Sequence, residues 1–448
     1  MPHAKSCVSG MAVAVLLFWT SAVAIASPQV GAASRTAKTH GYPLTVDVLS
    51  TFSGGTAVFG QIYDTGCYAG QEAVNTAGGV LGHPVTCLNS DTKGDAADAA
   101  TVVDKVLAST SHLIGIVGPG TTSSAYVSVI AHTRIPMFAH TTNPRFDHNK
   151  NRYFFRILPS DSLAGTALAF WAAKHGYKHA AGVWLTTSSS QTNVVPFKAV
   201  YKRLGGKLAG TFSLAPTLTN YRTEALSILG AKPDAIVMDS NPKTAATLFS
   251  DLKQLVGNGK LPQVILDSTG ETPTFISAVS KVIGIGAVDH FVNVAQATVN
   301  KNSSGFRAFY HSLLAVHKKT LIQFAPVVYA YYAYTAIVLD ALALTGNHTL
   351  VAGSPNVIAS FKAMTIPGKG KVTVHTYAQG LAALKRGVKV NELLYIGADG
   401  TINFNRFNNS SATFEAAHDG PTPSSPLVQI GAPISRATLT HLLSKTGL

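Results

Sequence analysis

Residues 44–55 read LTVDVLSTFSGG, and this stretch decides the fold. Its first seven residues alternate apolar and polar side chains as a β-strand does, and the turn formers that follow end the strand. Helices and strands then alternate at short spacing, which predicts a parallel sheet with helices on both faces. The next predicted elements are a helix over 61–77 ended by Gly78-Gly79, a strand over 84–91, a helix over 96–109 and a strand over 113–117.

The same alternation continues through most of the chain. Further strands are predicted at 135–139, 180–185, 235–239 and 263–267. A chain of 448 residues is too long for one compact domain, and 46% of its residues are hydrophobic, so each of two lobes can bury its own core. We therefore predict a two-lobed α/β protein.

The amino terminus has the features of a secretory signal peptide. Lys5 precedes an apolar run, and Ala24-Ile25-Ala26 places small residues where signal peptidase cleaves. We predict a signal peptide over 1–26 and a flexible leader over 27–43. A membrane anchor is the alternative, but the run is shorter than the roughly 20 residues that a spanning helix needs. The next most apolar segment, 329–344, is predicted to be a core helix, so we expect an exported protein of the periplasm or cell-wall space that is soluble after cleavage.

Two cysteines remain once the signal peptide is removed. Cys67 and Cys87 form an even pair in an oxidising compartment, which predicts one disulfide, and two buried free thiols are the alternative. Cys7 lies before the apolar run rather than just after it, so we do not expect direct lipid anchoring.

The chain is strongly basic because it contains few acids. It has 35 Lys and Arg against 21 Asp and Glu, a formal charge of +14 that falls to +13 when Lys5 leaves with the signal. The basic residues are spread out, with no run longer than pairs such as Lys318-Lys319, so nucleic acid is not an expected partner. The shortage of carboxylates suggests an exterior of low pH, because fewer native ion pairs are lost when acids protonate.

The motifs that mark common enzyme sites are missing from the sequence. It contains no His-Glu-x-x-His metal motif, no Gly-x-Ser-x-Gly nucleophile elbow and no phosphate-binding or dinucleotide-binding glycine loop. The sixteen histidines are scattered without ligand spacing. We expect no catalysis, no metal and no cofactor, with a hydrolase of amides or esters that uses an unmarked site as the alternative.

Two hydroxyl-rich loops follow neighbouring predicted strands. The strand over 113–117 leads into Gly118-Pro119-Gly120-Thr121-Thr122-Ser123-Ser124, and the strand over 135–139 leads into His140-Thr141-Thr142-Asn143-Pro144. Because ligands collect at the carboxyl ends of parallel strands, the two loops predict one wall of a pocket. Hydroxyls and free amides at a helix start favour an anionic group such as a carboxylate, and ordinary helix capping is the alternative. The candidate ligand-binding hydroxyls are those of Thr121, Thr122, Ser123, Thr141 and Thr142.

The chain resembles the branched-chain amino-acid-type substrate-binding proteins of ABC importers, which have the type I periplasmic binding fold. The resemblance covers about residues 44–404 and is strongest before Asp161. It rests on the order and spacing of Phe52-Ser53-Gly54, Phe59-Gly60, Asn75-Thr76-Ala77-Gly78-Gly79-Val80-Leu81-Gly82, Asp91-Thr92-Lys93-Gly94-Asp95, Gly118-Pro119, Ile135-Pro136, Thr142-Asn143-Pro144, Tyr153-Phe154-Phe155-Arg156 and Pro159-Ser160-Asp161.

The resemblance implies two Rossmann-like lobes with parallel sheets, joined by a three-segment hinge that closes on a ligand. Lobe 1 would hold 44–159 and 293–403, and lobe 2 would hold 160–292 and 404–448. The hinge segments would lie near Leu158, Val292 and Phe404.

The resemblance also assigns further candidate residues. Phe59 would pack on the ligand or fasten its own loop, and Tyr329 could reach the cleft from a tyrosine-rich helix that otherwise packs in the core. The second lobe departs from the family pattern. Ser240 stands where an aromatic side chain is usual, and the acid that receives a ligand ammonium would have to be Asp267 or Glu271.

The function that the resemblance implies is capture of a small polar ligand, an amino acid or another carboxylate or amide, for an ABC permease in the membrane. We expect a monomer. A ligand-sensing receptor module for a signalling partner is the alternative, because this fold also serves as a sensing domain.

Overall fold

The computed structural model of the chain describes residues 39–53, 57–118, 120, 125, 127–216, 218–297, 300–325, 327–410, 412–419, 422 and 427–448. All of these belong to one unit, residues 37–448. The predicted signal peptide over 1–26 and all but the last five residues of the predicted leader lie outside the described residues.

The strands begin where the sequence pattern places them. Every predicted strand is present, and the observed bounds differ from the predicted ones by at most two residues. The strands are β1 (Leu44–Ser50), β2 (Val85–Asp91), β3 (Leu113–Val117), β4 (Met137–Ala139), β5 (Phe154–Arg156), β6 (His179–Leu185), β7 (Lys207–Leu214), β8 (Ala235–Asp239), β9 (Gln263–Leu266), β10 (Val292–Gln296), β11 (Val372–Val374), β12 (Leu393–Tyr395), β13 (Phe414–His418) and β14 (Val428–Gln429).

Helices connect most of these strands, and several begin at a side-chain cap such as Asp95 or Ser160. The helices are α1 (Val58–Thr76), α2 (Ala96–Ser109), α3 (Val127–Thr133), α4 (Asp161–Lys174), α5 (Ser188–Gln191), α6 (Val194–Arg203), α7 (Arg222–Gly230), α8 (Pro242–Val256), α9 (Pro273–Ile283), α10 (Ile285–Val288), α11 (Ser304–Ala315), α12 (Lys319–Ile322), α13 (Val328–Gly346), α14 (Pro355–Thr365), α15 (Tyr377–Lys385) and α16 (Arg436–Ser444).

The strands form two large sheets. The first has the order β2-β1-β3-β4-β5 and is parallel throughout. The second has the order β14-β13-β10-β9-β8-β6-β7, in which the five strands from β10 to β7 are parallel and β13 and β14 add antiparallel strands at one edge. A small parallel pair, β11 and β12, is separate. The prediction of an α/β fold with parallel sheets is confirmed.

Buried apolar side chains form separate cores on the two sheets. One cluster runs from Leu44 to Leu158 and from Phe306 to Phe404, and two further clusters cover the faces of the second sheet. The chain therefore passes between cores three times, after Leu158, before Phe306 and after Phe404. Strand β10 pairs within the second sheet, so the expected boundary between residues 292 and 293 falls inside that strand.

Helix α13 is the central helix of the first core. It is the one helix among the described residues that is long and apolar enough to cross a membrane, but nearly all of its residues are buried inside the protein. Gly66 allows α1 to pack closely against α13, because a Cβ at this position would lie 2.0 Å from the backbone oxygen of Ala330. The prediction of a core helix over 329–344 is confirmed.

Cys67 and Cys87 are joined to each other. Cys67 in α1 and Cys87 in β2 form a disulfide with a Cα–Cα distance of 6.1 Å. The bond fastens the first helix to the second strand of the first sheet.

Candidate functional site

The carboxyl ends of the two sheets approach each other at Thr142 and Asp161. Thr142 follows β4, and Asp161 is the first residue of α4, beyond the first crossing of the chain. The Thr142 hydroxyl donates to Asp161 Oδ2 at 2.9 Å, and the Asp161 backbone N–H donates to the Thr142 carbonyl at 2.8 Å. The hydroxyl of Thr192 also donates to Asp161 Oδ2. Asp161 therefore joins the loop after β4 to the segment after β6.

Asp161 is one of three carboxyl groups that lie together at this edge of the second sheet. Asp239 is the last residue of β8, and Asp267 directly follows β9. Asp267 Oδ1 accepts from the backbone N–H of Thr269 at 3.1 Å and from its hydroxyl, and Asn193 Nδ2 donates to Asp239 Oδ2 at 3.4 Å. None of the three carboxylates forms an ion pair within the described residues.

Burial and mutual repulsion favour the protonated forms of these three acids. Burial raises the pKa of Asp161 to about 7, against the hydrogen bonds from Thr192 and Thr142, and the charge of Asp239 raises it further. Burial also raises the pKa of Asp239. The pKa of Asp267 lies well above its ordinary value because of burial first and the charge of Asp239 second. An ammonium or another cation placed here would favour the charged forms instead.

Aromatic side chains form the opposite wall. The ring of Tyr329, in the first turn of α13, lies 6.0 Å from the rings of Phe59 and Tyr63 and 6.1 Å from that of His140. Burial raises the pKa of Tyr329, and so does the charge of Asp161. Its neighbour His140 lies two residues before Thr142, whose hydroxyl donates to Asp161, so this wall lies close to the carboxyl groups. His140 is only 4% exposed, and burial lowers its pKa to about 3, so its imidazole is neutral near pH 7.

A second contact bridges the two sheets on the side of the crossings. Gln296, at the end of β10, donates from Nε2 to the hydroxyl of Tyr332 in α13. Beside this contact lies a cavity of about 440 Å³ whose lining includes Ile157, Gln296 and Asn403, one residue from or beside each crossing. Residues beside all three crossings therefore meet at one place.

The structure brings some of the sequence-predicted residues together and leaves others apart. Phe59, Thr142, Asp267 and Tyr329 lie at the site, whereas Thr121, Thr122 and Ser123 fall outside the described residues. Thr141 is buried, and its hydroxyl accepts from the backbone N–H of Asn143 at 3.4 Å. Ser240 is fully buried, and its hydroxyl donates to the backbone oxygen of Asn241. Glu271 belongs to a different acidic group, because burial and the charges of Glu415 and Asp419 raise its pKa to about 8.

Sequence reasoning missed Asp161, Asp239 and His140 as site residues. Asp239 ends a predicted strand, so the strand-end rule that selected Asp267 also applied to it. Asp161 was part of a recognised motif, but its role depends on two hydroxyls, those of Thr142 and Thr192, that come from distant parts of the sequence. Among the described residues no group of three or more His, Cys, Asp or Glu side chains is placed to hold a metal ion.

Comparisons with known proteins agree with this architecture. A family model described as periplasmic binding protein matches residues 43–376. The leucine-binding protein LivK of Thermotoga maritima superimposes with a TM-score of 0.64 at 17% identity, covering 88% of this chain and 99% of that one. The branched-chain amino acid transporter substrate-binding protein LivJ of Streptococcus pneumoniae, in complex with isoleucine, gives 0.64 at 17% identity over 87% and 99%.

A third similar structure has a different ligand. The solute-binding protein of an ABC transporter from R. palustris, in complex with benzoate, gives a TM-score of 0.63 at 16% identity and covers 88% of this chain and 98% of that one. No curated protein sequence matches the chain. At these identities the likeness shows a shared fold, while the ligands differ from one similar protein to another.

Proposed function

Because this chain belongs to the periplasmic binding protein family, we propose that it captures a small polar ligand in the cleft between two lobes and closes around it. The observation that carries the proposal is the convergence of polar groups from both sheets. Thr142 comes from the loop after β4, and Asp239 and Asp267 come from the ends of β8 and β9. Ligands of open parallel sheets bind at these ends of the strands.

The two walls differ in chemistry, and the difference favours a ligand with two unlike ends. The hydroxyl-rich sequences of the loops after β3 and β4 suit a carboxylate. The three acids of the second-sheet wall suit an ammonium group, because a cation would relieve their mutual repulsion. An amino acid meets both demands, with amides and other carboxylates next in order. Phe59 and Tyr329 would cover the apolar part of the ligand.

We assign the two lobes from the three crossings of the chain. Lobe 1 consists of residues 44–159 and 297–403, and lobe 2 consists of residues 160–296 and 404–448. This differs from the sequence-based boundary only in β10, which joins lobe 2 because it pairs with β9 and β13. Rotation about the crossings would change the contacts of Thr142 with Asp161 and of Gln296 with Tyr332.

The partner that fits this role is an ABC permease in the membrane, and the protein works outside the cytoplasm without catalysing a reaction. Support comes from the family and from the similar structures, which are substrate-binding proteins of ABC transporters. A monomer is sufficient, because both walls of the cleft come from one chain.

Thermal-shift screening tests the proposal. A ligand that binds only the folded protein adds about 2.7 kcal/mol to the unfolding free energy when its concentration is 100 times its dissociation constant, and the melting temperature rises accordingly. We expect a saturable rise with an amino acid or an amide and none with sugars. If sugars raise the melting temperature while amino acids, amides and carboxylates do not, the proposed chemistry of the cleft is wrong.

A further inference from the structure

A second cavity lies on the first sheet, away from the candidate cleft. Its volume is about 490 Å³, and it is formed by residues 149–152, by one side of α14 and by residues 406–408. Residues 149–152 lead into the amino end of β5, whereas the candidate ligand site lies at the carboxyl ends of the strands. The two sites therefore use different residues and different edges of the sheet.

The charges around this cavity all have the same sign. Lys150, Arg152, Lys362 and Arg406 line it, and no Asp or Glu is among the lining residues in the described part of the chain. None of these four cations forms an ion pair within the described residues. The nearest carboxylate along the chain, that of Asp147, is occupied by the buried guanidinium of Arg156 and the Ser162 hydroxyl. Four unpaired cations around one concave surface attract a multivalent anion.

The side chain of Asn149 also lines the cavity, and its amide is held by the backbone. Asn149 Oδ1 accepts from the backbone N–H of Asn151 at 3.0 Å, which identifies the oxygen of this amide. Asn149 Nδ2 is buried and has no hydrogen-bond partner within the described residues.

The cavity is held in shape before any ligand arrives. Lys362 Nζ donates to the Arg406 carbonyl at 3.0 Å, and Asn408 Nδ2 donates to the Arg152 carbonyl at 3.2 Å. The Arg152 guanidinium lies 5.5 Å from the Tyr153 ring centre, and that of Arg406 lies 4.7 Å from the Phe407 ring centre. Burial lowers the pKa of Lys362, as expected for an ammonium that lacks a counter-anion.

We propose that this cavity is a binding site for a phosphate group. Guanidinium groups recognise phosphate oxygens through paired N–H donors, and a phosphate can use several cations at once, which a single carboxylate cannot. The cavity is larger than one phosphate ion, so a phosphate ester fits it as well. The phosphate can be presented in solution or by the headgroup of an anionic lipid.

The test uses the full chain and two double variants that remove the same number of charges. Arg152→Gln with Arg406→Gln removes two exposed cations of the cavity, and Lys202→Gln with Arg203→Gln removes two exposed cations at the end of α6. The melting temperature is measured against inorganic phosphate and pyrophosphate at constant ionic strength. In a parallel measurement, the protein is sedimented with phosphatidylglycerol or phosphatidylcholine vesicles.

Saturable binding of phosphate or pyrophosphate that the cavity variant weakens about tenfold or more, and that the α6 variant keeps, supports a soluble ligand. Binding to phosphatidylglycerol vesicles alone, lost in the cavity variant and kept in the α6 variant, supports a lipid headgroup. The proposal is overturned if the protein binds neither probe, or if both variants weaken binding equally, because net charge would then explain the effect. Unchanged binding in the cavity variant overturns it too.

Discussion

The hydroxyl of Thr142 lies 2.9 Å from Oδ2 of Asp161 and donates a hydrogen bond to it across the first crossing of the chain. Thr142 belongs to the loop that ends β4, and Asp161 begins α4. The same carboxylate oxygen accepts from Thr192, so one acid holds three separate segments together. The contact therefore serves both as part of the candidate cleft and as a link between the lobes.

Replacing Thr142 with Val tests this link. The variant removes a hydroxyl that donates to a buried carboxylate, so we expect the unfolding free energy to fall by about 1–3 kcal/mol. Ligand affinity should fall as well, because Thr142 also belongs to the proposed carboxylate wall. Urea denaturation and calorimetric titration with the best ligand of the thermal-shift screen measure the two effects.

Thr247→Val is the matched control for that experiment. The Thr247 hydroxyl donates only to the Lys243 carbonyl one turn earlier in α8, so its loss should change neither ligand affinity nor stability by more than a few tenths of a kcal/mol. Equal effects of the two substitutions would mean that the contact with Asp161 has no special role.

Replacing Asp239 with Asn tests the acidic wall. Asp239 raises the pKa of Asp161 and Asp267, so a neutral amide should relieve repulsion and raise the melting temperature of the ligand-free protein. Binding of an amino acid selected by the thermal-shift screen should weaken about tenfold or more, because an ammonium loses a charged partner, whereas binding of a carboxylate that lacks an ammonium group should not weaken. Asp104→Asn, at an exposed position of α2, is the control. A lower melting temperature together with unchanged affinity for the amino acid would contradict the assigned role.

The sequence was sufficient to predict the fold because the fold depends on local patterns. Alternating strands such as 44–50, turn glycines such as Gly78-Gly79 and caps such as Asp95 each act within a few residues, and the observed elements follow them. The predicted lobe boundary between residues 292 and 293 falls inside β10. Its place in the second sheet depends on pairing with β13, which is more than a hundred residues later in the chain.

The candidate site was harder to predict because it is assembled from distant segments. The strand-end rule found Thr142 and Asp267, but Asp161 becomes a site residue only through Thr142 and Thr192. The orientation of a side chain was also beyond the sequence. Ser240 was chosen from the loop in which it stands, yet its buried hydroxyl donates to the neighbouring backbone. Packing decides whether such a side chain faces solvent or the interior.

The buried carboxyl groups should make the unfolding free energy rise as the pH falls from about 8 toward about 4. Burial raises the folded-state pKa of several acids above the ordinary values of 3.8 for Asp and 4.5 for Glu, to about 7 for Asp47 and Asp399 and to about 8 for Glu271. The folded protein therefore takes up protons at a higher pH than the unfolded chain, and each proton bound adds to the unfolding free energy. This increase in the unfolding free energy is complete once the pH lies below the pKa values that the same carboxyl groups have in the unfolded chain.

His140 opposes this trend. Its folded pKa of about 3 lies below the ordinary value of 6.5, so stability is lost as the pH falls below 6.5. One histidine acts against several carboxyl groups, and we expect the maximum of stability on the acidic side of neutrality. Urea denaturation at pH 8, 7, 6 and 5 and constant ionic strength measures the curve, and Asp47→Asn should make it shallower. A steady loss of stability between pH 7 and pH 5 would contradict the expectation and the proposed acidic habitat.

Two Gly→Ala substitutions should have opposite effects on stability, one in the contact between α1 and α13 and the other at the end of α7. A Cβ at Gly66 would lie 2.0 Å from the Ala330 backbone oxygen and 2.6 Å from the Ala333 Cβ, so Gly66→Ala must separate the two helices and should cost about 1–3 kcal/mol or more. A Cβ at Gly230, the last residue of α7, would have no atom within 4 Å, so Gly230→Ala should stabilise by about 0.4–1 kcal/mol through the lower entropy of the unfolded chain. Thermal denaturation should show a lower melting temperature for Gly66→Ala and a higher one for Gly230→Ala. If Gly66→Ala melts at the temperature of the wild type, the close approach of α1 to α13 is not required for folding.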